Sequence, residues 1–151
     1  MRLNEALTLK GAMTAVLTKA DGTVETRYKD NIIVNAGFDF IADAIGKVSS
    51  RPGCMNHIAV GTGTTAAAAT QTALVEEMTG GRLAATYAHT AGTKVFTLTA
   101  NFNAGVATGA ITEVGAFNAA TGGTMFDRLT FAVINKGALD TLAVTLTFTM
   151  S

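Results

Sequence analysis

From Thr141 to Met150 the chain alternates without a break. Leu142, Val144, Leu146, Phe148 and Met150 fall on one side, and Thr141, Ala143, Thr145, Thr147 and Thr149 on the other. A period of two fits a half-buried β-strand, with the apolar side on a core and the threonines facing outward. Such a strand is not stable alone and needs paired neighbours. The rest of the chain must therefore supply more strands.

It does so repeatedly. Gly11 to Thr18 and Thr23 to Tyr28 flank Ala20-Asp21-Gly22, and Asp-Gly between extended runs marks a hairpin. Residues 1–10 read as an N-terminal arm or first strand. Asn56 to Val60 predicts a further strand. Arg82 to Thr90 and Thr93 to Asn103 predict a hairpin across Ala91-Gly92, with Phe96, Leu98, Ala100 and Phe102 on one face. Ala110 to Asn118 and Thr124 to Ile134 predict another across Thr121-Gly122-Gly123. One helix interrupts the pattern around residues 36–46. Asn35 is placed to cap it, Phe38, Ile41, Ala42 and Ile45 recur at helical spacing, and Gly46 is a plausible stop. Ala66 to Glu77 is ambiguous, since alanine favours helix while Thr70 and Thr72 favour turns. With 16 glycines and a single proline, Gly, Asn and Asp make most of the turns. The expected fold is all-β and mainly antiparallel, a β-sandwich or jelly-roll-like single domain over residues 1–151.

Composition narrows the function. Lys+Arg and Asp+Glu both number 11, and charged residues are only 15% of the chain against 48% hydrophobic. A balanced charge argues against general nucleic-acid binding, which needs a basic excess to release counterions. It argues equally against a polybasic membrane-surface protein. No apolar run is long enough for a transmembrane helix, and Glu5 interrupts the opening segment where a secretion signal would need an apolar core. A weakly charged, apolar surface favours association. Copies of the same chain or another protein are therefore the expected partners.

Candidate chemistry is sparse. Gly61-Thr62-Gly63-Thr64-Thr65-Ala66 has the G-x-G-x-x-A spacing of a dinucleotide loop, but hairpins follow it and position 81 is glycine rather than an acid. It reads as a Gly-rich turn, and no cofactor is expected. His57 and His89 have no ligand spacing around them, so no metal is expected. Cys54, the only cysteine, reads as a small buried side chain rather than a nucleophile, and it leaves no intramolecular disulfide. Glu113 stands in mid-strand and needs a partner, with Arg82 and Arg128 the available cations. An ion pair at the sheet surface or a subunit interface is expected. The threonine rows read as polar strand faces. No catalytic residue is assigned.

Several segments occur in a suggestive order. They are Asp30-Asn31-Ile32-Ile33-Val34-Asn35-Ala36-Gly37, His57 to Thr64, Thr72-Ala73-Leu74 with Glu76-Glu77, Ile111 to Phe117, and Gly123 to Arg128 before the closing strand. Over residues 30–150 this order resembles small tailed-bacteriophage virion proteins, which include head decoration (cement) proteins and tail- or fibre-associated components. The resemblance implies a β-sandwich without catalytic residues, made in the host cytoplasm and carried on the particle exterior. The resulting expectation is a non-enzymatic capsid decoration protein that bridges and stabilises major capsid subunits. A tail, collar or fibre subunit is the first alternative. A carbohydrate-binding module is the second, although the chain has no Trp and only Tyr28 and Tyr87. Arg2, Leu3 and Leu7 in the arm, and Gly61, Thr62, Gly63, Thr64 and Thr65 in the loop, are the expected contact residues.

Overall fold

A computed structural model describes residues 6–151. Its strands are β1 (Leu9–Thr18), β2 (Val24–Ile33), β3 (His57–Gly61), β4 (Glu77–Ala84), β5 (Thr86–His89), β6 (Val95–Phe102), β7 (Gly109–Phe117), β8 (Met125–Lys136) and β9 (Thr141–Met150). The helix α1 (Asn35–Gly46) follows β2. All strand pairs are antiparallel, in the order β4-β3-β7-β8-β2-β1-β9-β6-β5. The fold is thus all-β, as the alternation predicts, in the form of one nearly closed, barrel-like sheet.

The split pairing of β2 and the bend between β4 and β5 produce the closure. Up to Asn31, β2 pairs with β1, and then Ile32 and Ile33 pair with Arg128 and Asp127 of β8. Where β2 and β8 part, Lys29 Nζ and Arg27 Nη2 donate to the carbonyls of Thr130 and Val133, at 2.6 and 3.4 Å. At the other corner, β4 and β5 are the two ends of the sheet, yet only Ala85 separates them in the chain. The Ala85 N–H donates to the Asn56 carbonyl (2.8 Å). One bent run of chain therefore supplies both edge strands and brings the two ends of the sheet together.

The inward faces are those the alternation marks. Met13, Ala15 and Leu17 meet Leu142, Val144, Leu146 and Phe148, with Leu98, Ala100 and Phe102 beyond. Ile58, Val60, Val114 and Leu129 close over them from the other side. The first hairpin turns at Gly22 (φ +87°), and Asp21 Oδ1 accepts the Thr23 N–H at 2.8 Å. The first and last strands lie side by side, Leu9 opposite Met150 and Thr18 opposite Thr141. Residues 1–10 are thus partly first strand, since β1 begins at Leu9. Arg2 and Leu3 lie outside the described residues.

The helix departs from expectation in two respects. Asn35 is not its side-chain cap. The cap position is Val34, extended and buried, without a side-chain bond. Val34 still bonds to the sheet, donating its N–H to Phe126 O at 3.1 Å, so a single residue joins strand to helix. The buried stripe is also displaced by one residue. Gly37, Phe40, Ile41 and Ala44 face inward, whereas Phe38 and Ile45 are 51% and 75% exposed. The spacing is the expected one, but the rotation is set by Phe40 packing edge-on to Phe126 (6.0 Å). Ala66 to Glu76 holds no helix, because its backbone is drawn onto the sheet by the side chains described next.

Candidate functional site

Glu113 and Arg128 lie on the outer side of β7 and β8 and are nonetheless fully buried. Arg128 Nη2 and Nε lie 2.7 and 2.9 Å from Glu113 Oε2. The segment from Thr62 to Glu76 folds over the pair. Gly63 and Glu76 donate N–H bonds to Oε1 (3.1 and 2.7 Å), and Val75 donates to Oε2 (3.0 Å). Arg128 in turn donates to Gln71 Oε1 and to Thr65 O, both at 2.9 Å. Burial alone would raise the Glu113 pKa. The two N–H donors from Glu76 and Val75 and the guanidinium outweigh it, and the carboxyl is held below its ordinary value. Each side-chain nitrogen and oxygen of this pair has a partner within the protein itself.

This arrangement corrects one expectation. The ion pair is interior rather than at a sheet surface or subunit interface, and its cation is Arg128. Arg82 instead grips Glu77 (2.7 and 2.9 Å) and lies 3.7 Å over the Phe117 ring. In the Gly61–Thr65 loop the glycines serve the ion pair. Gly61 and Gly63 are buried against Glu113, and a Cβ on either would stand 2.5 Å from its Oε1. Thr62 is half-buried, and only Thr64 and Thr65 are exposed. The segments that carry the virion-protein resemblance converge here. Val34 and Leu74 pack with Phe117, Gly115 lies under Leu74, and Asn31 bonds to Asp127. These motifs build a scaffold.

Open space lies elsewhere, at the end of the barrel beneath α1. A cavity of about 600 Å³ is bounded by Phe40, Ile41, Ala44 and Ile45 of the helix. Leu7, Leu9 and Met150 bound it at the paired chain ends, and Arg51, Pro52, Cys54 and Met55 in the following loop. Its floor is aromatic. Phe40, Tyr87, Phe96 and Phe126 line it, and Phe148 braces it from the core, stacked on Phe96 (4.9 Å) and edge-on to Phe126 (5.2 Å). The rim is apolar and exposed: Leu7 73%, Ile45 75%, Tyr87 62%. Among the described residues Arg51 is the one charged side chain lining it, and its Nη2 donates to Ala44 O at the end of α1. Cys54 is exposed at this rim rather than buried, because the loop carrying it runs outside the strands.

Of the expected contact residues, Leu7 belongs to this apolar end, the Gly61–Thr65 loop does not, and Arg2 and Leu3 are not described. The rest of the cavity escaped sequence reading because its walls come from separate segments. His57 Nδ1 lies 2.6 Å from Asn56 Oδ1 and His89 Nδ1 2.6 Å from Val95 O. Among the described residues no three His, Cys, Asp or Glu side chains gather as a metal site requires. A scan against protein-family models, a search of curated proteins and a search of solved structures each return no match.

Proposed function

We propose that this chain is a non-enzymatic structural subunit of a tailed-phage particle, a decoration protein that bridges major capsid subunits from outside. The observation that supports this reading is the apolar end of the barrel. Leu7, Ile45 and Tyr87 present large, mostly exposed apolar surface around a cavity lined by a single charged side chain among the described residues. Such a surface favours burial against a neighbour. Each contact would be modest, and many copies on a shell would act together through avidity. The balanced charge suits an exterior position away from packaged DNA.

The test is imaging of particles from a producing host with the chain labelled. Hundreds of copies spread over the head are expected. A small multiple of three or six at the tail would replace the head role with a tail, collar or fibre role. Absence from particles would remove both. The double substitution Ile45→Glu with Tyr87→Ser should prevent incorporation while leaving the isolated fold intact, as read by circular dichroism.

A further inference from the structure

We infer that the cavity beneath α1 is a binding site for a medium-chain aliphatic carboxylate, with the hydrocarbon tail over the aromatic floor and the carboxylate at Arg51. This goes beyond the virion reading and does not depend on it. The volume of about 600 Å³ falls within the range of ligand sites, ~300–1,000 Å³. The walls are aliphatic and aromatic, so the body of the ligand is hydrocarbon. The floor cannot collapse to fill the space, because Phe96, Phe126 and Phe148 brace one another and continue into the main core. Charge complementarity selects the head group. Arg51 lines the mouth, has no carboxylate partner among the described residues, and spends only Nη2, on the Ala44 carbonyl. Its remaining N–H groups can take an anionic oxygen in the planar geometry that guanidinium offers carboxylates.

Isothermal titration of the full chain with octanoate, decanoate and dodecanoate, each below its micellar concentration, tests the assignment. Affinity should rise about fourfold per added methylene, the increment expected when each CH₂ leaves water. Ala44→Phe fills the cavity and should abolish binding of all three. Should that variant fail to fold, Ile45→Trp at the exposed rim serves the same purpose. Arg51→Gln should weaken dodecanoate about tenfold and leave dodecanol unchanged. No saturable binding by the unaltered chain, or binding that survives a folded cavity-filling variant, would overturn the site. Equal loss of dodecanoate and dodecanol in Arg51→Gln would overturn the role given to the guanidinium.

Discussion

Glu113 and Asp127 are two buried carboxyls on neighbouring strands with opposite pH behaviour. Glu113 is ionised, paired and held low. Its stabilisation is present above the ordinary carboxylate value and is lost as pH falls through its depressed one. Replacing Glu113 with Gln leaves Arg128 buried without its counter-charge, and urea unfolding should show a loss of about 3–5 kcal/mol. Among the described residues Asp127 has no cation paired with it. Burial pushes it from 3.8 up to about 7, against the opposing pull of the Ala116 N–H and the Asn31 amide. Between those two values the folded chain keeps a proton that the unfolded chain has released. Its contribution is therefore largest at low pH, declines as pH rises from about 4 to 7, and levels off above. Urea midpoints from pH 5 to 8 should show this decline, and Asp127→Asn should flatten it. The variant amide can still accept from Ala116, and once the Asn31 amide flips it can donate to Asn31 Oδ1, which is otherwise buried without a partner.

The helix and the strands differ in how openly the sequence declares them. Strand periodicity is local. In β9 every second residue is apolar, and the face is decided once the spacing is seen. A helix with Phe38, Phe40, Ile41 and Ile45 leaves two rotations open, and the neighbouring sheet chooses between them. Phe126 selects Phe40. Accordingly Phe40→Ala should cost about 2 kcal/mol and Phe38→Ser less than about 0.5 kcal/mol in thermal or urea unfolding. The loop over Glu113 was hidden for a related reason. A carboxylate in mid-strand states a need for partners without saying where they are. Gly61 and Gly63 looked like turn formers, whereas their lack of a Cβ serves the close approach of Glu113. The apolar cavity was the least legible, since only the assembled barrel brings Leu7, Ile45, Arg51 and Tyr87 together.

At the scale of the molecule, the pairing of β1 with β9 sets how the fold is reached. Contacts between the first and last strands carry a large loop-closure cost before they contribute stability. Refolding after dilution from urea should take on the order of milliseconds to seconds, followed by circular dichroism in a stopped-flow instrument. Ending the chain at Asp140 would remove the partner of both β1 and β6. That truncation should show no cooperative unfolding transition. The same pairing fixes where foreign sequence can be attached. Thr8 and Ser151 exchange hydrogen bonds at 2.6 and 2.9 Å, next to Leu9 and Met150 in the cavity wall. A tag or displayed cargo attached after Ser151 would start beside that mouth. One grafted into the Asp21-Gly22 turn, at the far end of a ten-residue strand, would stand roughly 30 Å away and leave the mouth clear.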